Sequence, residues 1–202
     1  HGHADFAWLF LNLWLEKTGD HQGLALLRYY AVYRALVRVK VAVLRAGQTA
    51  GASHDGTLAD ARALLQLATA LTRPLPLRLD ITHGLSGSGK TTVTHRLMQV
   101  PGAIRLRSDV ERKRLAGLDA LARSGSAVGE QLYAADATRR TYGHLARLAG
   151  EILDAGWPVI ADATFTARWQ RDLLRAQAQS RGVDFHILDF QVPVAVLRER
   201  IF

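Results

Sequence analysis

Apolar residues recur at helical spacing over the first 46 positions. Residues 4–18 carry them three and four apart, and Thr18-Gly19-Asp20 provides a stop. A second helix is predicted over 22–46, with one apolar stripe made of Leu26, Tyr30, Tyr33, Val37, Val41 and Leu44. A basic helix on a membrane surface would share this pattern, but we favour a stripe that faces a protein core. Two helices cannot bury such wide faces against each other alone, so we interpret 1–46 as the helical C-terminal end of another domain.

The pattern changes after residue 46. Positions 47–56 are small and polar, which predicts a linker, and a helix is predicted over about 57–72. Beyond Pro76, short apolar runs alternate with helical stretches, and these runs lie at 77–83, 103–107, 158–161 and 185–190. Strands that are separated by helices pair in parallel. We therefore predict a second domain over 57–202, built on a parallel sheet.

One motif directly follows the first predicted strand. The run Gly84-Leu85-Ser86-Gly87-Ser88-Gly89-Lys90-Thr91 has the spacing G-x-x-x-x-G-K-S/T of a phosphate-binding loop. Such a loop turns its backbone N–H groups toward the phosphates of a nucleotide, and the helix that follows adds its positive end. Lys90 is expected to reach the β- and γ-phosphates, and Thr91 to place its hydroxyl on Mg²⁺. The predicted nucleotide-binding set is Gly84, Ser86, Gly87, Ser88, Gly89, Lys90, Thr91 and Thr92. The predicted fold class is therefore α/β, a P-loop NTPase-type parallel sheet with helices on both faces, preceded by the α-helical remnant.

Two carboxylates follow later strands. The carboxyl ends of parallel strands meet at one edge of a sheet, where the ligand crevice lies. Asp162 ends the third predicted strand, and we expect it to be the second Mg²⁺ partner, with a helix cap as the alternative. Asp109 follows the second strand and has Arg112 and Arg114 beside it. It is either a base that accepts a proton from an attacking hydroxyl or the N-cap of a helix, and position alone leaves both roles open.

Composition narrows the class of protein. The 202 residues include 26 basic and 18 acidic side chains, a net charge of +8. An anionic partner and a solvated basic surface explain this charge equally well. A nucleic-acid partner stays open, but no dense basic run with interleaved aromatics indicates one. Cysteine is absent, which excludes disulfides and thiolate metal sites. Neither a signal peptide nor an uncharged apolar run of about twenty residues is present, so we expect a cytoplasmic protein without a membrane partner.

The stretches 84–92, 107–115 and 159–165 resemble the P-loop kinases of the predicted-kinase, zeta-toxin and polynucleotide-kinase-like group. The resemblance runs from about residue 77 to the end. It implies ATP as the nucleotide and a role for Asp109 as the base that activates an acceptor hydroxyl. It also implies a bacterial two-part protein in which an aminoglycoside-phosphotransferase-like domain precedes the kinase domain and is covalently linked to it. Residues 1–46 would be the last helices of that first domain, and no phosphotransferase site is assigned to them.

These residues predict a kinase that transfers the γ-phosphate of MgATP to a hydroxyl acceptor, with Lys90 and Asp109 as catalytic residues and Arg112 beside the substrate. Small sugars, antibiotics and the 5′-hydroxyl of a nucleic acid all fit as acceptors. A nucleotide-hydrolysing switch, or a regulatory ATP-binding module without an acceptor, is the alternative. The family places a mobile lid with phosphate-clamping arginines after a helix that resembles 194–201, and then a fifth strand. The sequence stops first, so we expect a truncated kinase domain that holds nucleotide better than it turns it over.

Overall fold

Four parallel strands form one sheet in the computed structural model of the protein, which describes residues 3–48, 52–98, 102–118, 135–193 and 195–197. The strands are β1 (Arg78–His83), β2 (Ile104–Arg107), β3 (Val159–Asp162) and β4 (Asp184–Asp189), in the spatial order β2-β3-β1-β4. Val159 on β3 lies opposite both Leu79 on β1 and Ile104 on β2. The predicted parallel sheet is therefore confirmed, and the loop predicted to bind phosphate follows a central strand.

Seven helices have bounds within the described residues: α1 (Ala4–Thr18), α2 (Leu24–Ala46), α3 (Ala52–Thr72), α4 (Lys90–Leu97), α5 (Ser108–Leu115), α6 (Ala135–Asp154) and α7 (Arg168–Gln179). The core lies between the sheet and the apolar faces of its helices. Leu79 and Ile160 on the strands and Leu145 on α6 are at most 2% exposed. All four residues of β3 are buried, because helices cover the centre of the parallel sheet. Of the helices that the structure describes, none combines the length and the apolar character that crossing a membrane would need.

Helix α1 is fastened to the free edge of the sheet by a buried amide. The side chain of Asn12 is fully buried; its Oδ1 accepts the backbone N–H of Arg105 at 2.7 Å. Its Nδ2 donates to the carbonyl of Ala103 at 3.1 Å. A strand at the edge of a sheet exposes such backbone groups, and Asn12 satisfies two of them as a neighbouring strand would. The ring of Trp8 also packs edge-on against Trp157, with centroids 5.5 Å apart. Helix α1 is therefore part of the unit that contains the sheet.

The chain divides into two compact units, one of His1–Gln22 with Pro76–Phe202 and the other of Gly23–Leu75. This division differs from the predicted boundaries at 46 and 57, because α1 packs on the sheet and α2 packs on α3. Helix α3 begins at Ala52, inside the segment predicted to be a linker. The ring of His54 ties the first turn of α3 to the end of α2, since its Nδ1 donates to the carbonyl of Ala46 at 2.8 Å. That 1–46 ends a phosphotransferase-like domain stays a prediction.

The apolar stripe of α2 is not buried within its own unit. Leu26, Tyr30, Tyr33 and Leu44 are each more than half exposed, whereas the buried residues of this helix are Leu24, Ala35 and Ala46. That this stripe faces the core of another domain stays a prediction. Helix α3 covers the small residues of α2 and leaves the large ones in solvent.

Candidate functional site

A cleft of about 740 Å³ opens at the carboxyl ends of β1, β2 and β3. It brings together residues that are far apart in sequence but that the strand pattern predicted to meet. The lining comprises Ser86, Gly87, Ser88, Gly89, Lys90, Thr91, Thr92, Val93, Arg107, Ser108, Asp109, Asp162, Ala163, Thr164 and Val192. Most of the predicted loop residues, both predicted carboxylates and the predicted Mg²⁺-binding hydroxyl are thus on one surface.

Three glycines give the loop its shape. Gly84, Gly87 and Gly89 have φ angles of +142°, +79° and +88°, values that residues with a side chain rarely adopt. At Gly84 a Cβ atom would also lie 2.7 Å from the carbonyl oxygen of Phe190, too close for any real contact. The glycine spacing of the motif is therefore a backbone requirement of this turn. Gly84 lies behind the cleft surface and reaches the site through its carbonyl oxygen.

Lys90 is the first residue of α4 and points back into the loop. Its Nζ donates to the carbonyls of Gly84 at 2.9 Å and Leu85 at 2.6 Å, and to the hydroxyl of Ser88 at 3.3 Å. Burial lowers the pKa of this ammonium group, and the negative charge of Asp162 partly opposes that shift. These three acceptors are neutral oxygens around a group that is only 7% exposed. An anion in the cleft would offset the cost of burying this charge.

Asp162 ends β3 and is 5% exposed. Its Oδ2 accepts the hydroxyl of Thr94, on α4, at 2.8 Å. The residue at the N-cap of α7 is Ala167, so the alternative role of Asp162 as a cap of that helix is not realised. The hydroxyl of Thr91 and the carboxylate of Asp162 both line the cleft, and oxygen donors of this kind are those that Mg²⁺ prefers. The donor set of the cleft therefore fits a magnesium ion.

Asp109 lies in the first turn of α5 and lines the cleft. The N-cap of α5 is Arg107, without a side-chain cap, so Asp109 does not cap this helix either. Its Oδ2 accepts from Lys113 at 2.9 Å, and half of its side chain is exposed. Arg112 is one turn further along α5 and is not among the residues that line the cleft. Its predicted place beside a substrate stays a prediction, whereas Arg107 does line the cleft.

Helix α5 is held from behind by a buried carboxylate. Glu111 is 2% exposed and accepts hydrogen bonds from Arg114 and, at 3.0 Å, from His144 on α6. Burial opposes ionisation of Glu111, but the bonds from His144 and Arg114 together outweigh it and hold the pKa of this carboxyl below its usual value. Arg114 also donates to the carbonyl of Glu16 at 2.7 Å, at the end of α1. The helix that carries Asp109 is thereby fixed to both α1 and α6.

Comparison with known proteins shows the family. A family model described as an AAA domain matches residues 79–202, which is more than half of the chain. The chain belongs to this AAA domain family. An uncharacterized protein of Mycobacterium tuberculosis and one of Mycobacterium bovis are each 29% identical to it over 99% of this chain. The match covers only 39% of each of those relatives.

Solved structures are similar to this AAA domain in fold. The APS kinase of Mycobacterium tuberculosis in complex with AMPPNP and APS gives a TM-score of 0.47 at 22% identity, over 63% of this chain and 69% of that one. A structure of the Pnkp1/Rnl/Hen1 complex gives a TM-score of 0.41 at 21% identity, over 65% of this chain and 40% of that one. The parallel sheet and the helices packed on it make the AAA domain an α/β fold.

Several residues at the site of this AAA domain were not predicted from the sequence. Arg107 and Ser108 line the cleft directly before Asp109, and their position at the end of a predicted strand was the available signal. Arg105 and Thr94 lie beneath the cleft and contact each other at 3.3 Å. An arginine in the middle of a short buried strand is the sequence signal for such a contact, because a buried charge needs a partner. The sequence does not show which partner it has.

Replacing Glu111 tests how α5 is held. The pKa of Glu111 is lower in the folded protein than its ordinary value of 4.5, so its contribution is complete above that pH and is lost as the pH falls through the folded value. We expect Glu111→Gln to lower the free energy of unfolding by about 3 kcal/mol near neutral pH, and this difference to shrink on acidification. Urea unfolding of both proteins across the acid range measures this difference.

Glu151→Gln, which breaks a surface pair with Arg147, is the matched control and should change stability by less than about 0.5 kcal/mol. A Glu111→Gln deficit that is constant with pH would contradict the assignment.

Proposed function

We propose that this chain binds MgATP and transfers its γ-phosphate to a hydroxyl group of an acceptor. The observation that carries the proposal is the single cleft that contains the glycine-shaped loop, the buried ammonium of Lys90 and the carboxylates of Asp162 and Asp109. Family membership and the P-loop kinase-like fold agree with nucleotide binding at a coarse level. Transfer to an acceptor, rather than to water, is proposed from Asp109 alone.

The loop side of the cleft supplies the nucleotide contacts. Lys90 and the backbone amides of residues 84–92 would bind the phosphates, because the positive φ angles turn the chain around one small volume and α4 begins there. Lys90 would exchange its neutral acceptors for phosphate oxygens, which are stronger partners for an ammonium group. Thr91 and Asp162 are the residues that would hold Mg²⁺, which when bound neutralises charge on the β- and γ-phosphates.

The residues at the end of β2 and in α5 are proposed to supply the acceptor side. In the proposed reaction the acceptor oxygen forms a bond to the γ-phosphorus, the bond from that phosphorus to the bridging oxygen breaks, and ADP leaves. The acceptor proton passes to the Asp109 carboxylate, which the hydrogen bond from Lys113 holds in orientation. Arg107 is close enough to the cleft to balance phosphate charge, and Arg112 is proposed to act at the acceptor from the next turn.

The nucleotide contacts are tested by removing the ammonium group. We expect the chain to bind AMPPNP with Mg²⁺ at roughly micromolar affinity, and Lys90→Ala to weaken this binding at least about a hundredfold, because charge-assisted hydrogen bonds to phosphate are lost. Isothermal titration calorimetry measures both. Lys17→Ala removes an exposed lysine from α1 and should leave affinity unchanged. Equal affinity of the wild type and a folded Lys90→Ala would refute the phosphate role of the loop.

Asp109→Asn distinguishes a kinase from a nucleotide-hydrolysing switch. If Asp109 is the base, this change lowers acceptor-dependent ADP release roughly a hundredfold or more, without loss of AMPPNP binding. ADP release is followed with sugars, aminoglycosides and a 5′-hydroxyl oligonucleotide as acceptors, on the full-length protein. Asp172→Asn, on the exposed face of α7, is the control. Hydrolysis that needs no acceptor and is indifferent to Asp109→Asn would favour the switch.

We further propose that an upstream domain, for which the resemblance implies the aminoglycoside-phosphotransferase type, covers the apolar stripe of α2. The chain spans 39% of the length of its curated relatives, and Tyr30 and Tyr33 are each more than half exposed. Exposed apolar patches of this kind mark interaction sites. Hydrogen–deuterium exchange should therefore show slower exchange in α2 when the full-length protein is compared with this chain, with α6 unchanged. Identical exchange of α2 in both would exclude this cover.

A further inference from the structure

A chain of buried polar contacts runs from α1 to the proposed Mg²⁺ ligand Asp162. Glu16, in the last turn of α1, accepts hydrogen bonds from Arg105 at 2.5 Å and 2.9 Å. Arg105 donates from its other terminal nitrogen to the hydroxyl of Thr94 at 3.3 Å, and Thr94 donates to Asp162 at 2.8 Å. The side chains of Arg105 and Glu16 are 2% and 10% exposed, so solvent screens their charges weakly.

The order of the charges along this series of contacts affects the carboxylate of Asp162. A guanidinium group stays protonated at any accessible pH, so Arg105 places a permanent positive charge one hydroxyl away from Asp162. Glu16 neutralises that charge from the far side. Without Glu16, the nearest strong acceptor in this chain of contacts is the carboxylate of Asp162 itself. A carboxylate paired with a guanidinium is a poorer ligand for a divalent cation, because the two cations compete for the same negative charge.

Glu16 also faces a second arginine. Its Oε2 lies 3.7 Å from Nη1 of Arg107, which lines the cleft. Loss of the Glu16 charge would therefore leave two cations near the cleft. Added positive charge disfavours Mg²⁺ and favours the bare phosphates of a nucleotide. The two effects have opposite signs, and this separates an electrostatic role from general damage to the fold.

We propose that Glu16 is a positioning residue for the magnesium site: it fixes and neutralises Arg105, so that Asp162 keeps its charge for the cation. This inference rests on the proposed binding of MgATP in the cleft. The AAA domain model begins at residue 79 and so does not include Glu16. Glu16 lies on α1, which precedes the unit Gly23–Leu75 in the sequence. A helix that precedes the unit Gly23–Leu75 thus contributes to a site whose other residues follow that unit in the sequence.

The test is the ratio of AMPPNP affinities with Mg²⁺ and with EDTA, measured by calorimetry on the whole chain. We expect Glu16→Gln to lower this ratio about tenfold, with weaker binding in Mg²⁺ and equal or tighter binding in EDTA. The double variant Glu16→Gln/Arg105→Gln removes both charges and should bring the ratio back to within about threefold of the wild type. Glu151→Gln, which also breaks a Glu–Arg pair but at the surface, should not change it.

The outcomes separate this inference from the proposed function. A ratio that is unchanged in Glu16→Gln, or affinities that fall equally in Mg²⁺ and EDTA, overturn the positioning role while nucleotide binding stands. A folded wild type that binds no nucleotide overturns the proposed function and this inference with it. If Glu16→Gln does not fold, Arg105→Gln alone decides: removing the competing cation should raise the ratio or leave it unchanged, and a fall would overturn the inference.

Discussion

One hydroxyl holds the two central strands together where their ladder ends. The β1–β3 pairing places Ile81 opposite Ala161, and beyond it the hydroxyl of Thr82 donates to the carbonyl of Ala163 at 2.6 Å and accepts its N–H at 3.0 Å. The side chain thus replaces the next pair of backbone bonds, at a point where both chains are buried. The glycine loop begins two residues after Thr82, and Asp162 directly precedes Ala163. Together with the bond from the N–H of Gly84 to the carbonyl of Thr164 at 3.2 Å, this contact holds the start of the loop beside the strand end that carries Asp162.

The charges beneath the cleft follow from that arrangement. Lys90 and Asp162 both line the cleft, and behind them Arg105 and Glu16 form a buried ion pair. Buried charges of this kind cost desolvation energy, and ion pairs recover it only in part. Their benefit is a site in which dipoles and charges are already oriented before a ligand enters. The buried charges thus lower the stability of the fold, and in return the groups of the cleft are oriented before a ligand binds.

The sequence predicted what depends on local pattern. The strands, the glycine turn and the placing of Asp109 and Asp162 at one edge all follow from spacing and from the geometry of parallel sheets. The contacts that the sequence did not predict depend on which surfaces pack together. An amphipathic pattern shows that a helix has an apolar face but not what covers it, so the pattern did not show that α1 packs on the sheet and α2 on α3. The ion pair of Glu16 with Arg105 was missed for the same reason, since 89 residues separate the two.

Packing α1 on the sheet has an entropic cost, because the long segment between α1 and β1 must be closed into a loop. The unit Gly23–Leu75 reduces this cost. Closing a flexible loop as long as the segment between α1 and β1 would cost about 3–4 kcal/mol. Within that segment α2 and α3 run back along each other, and Arg28 donates to the carbonyl of Arg73 at 3.4 Å. The two ends of the unit Gly23–Leu75 therefore lie close together, and the effective loop is much shorter than the sequence separation. The buried amide of Asn12 and the carboxylate of Glu16 can then hold α1 on β2 with only a few hydrogen bonds.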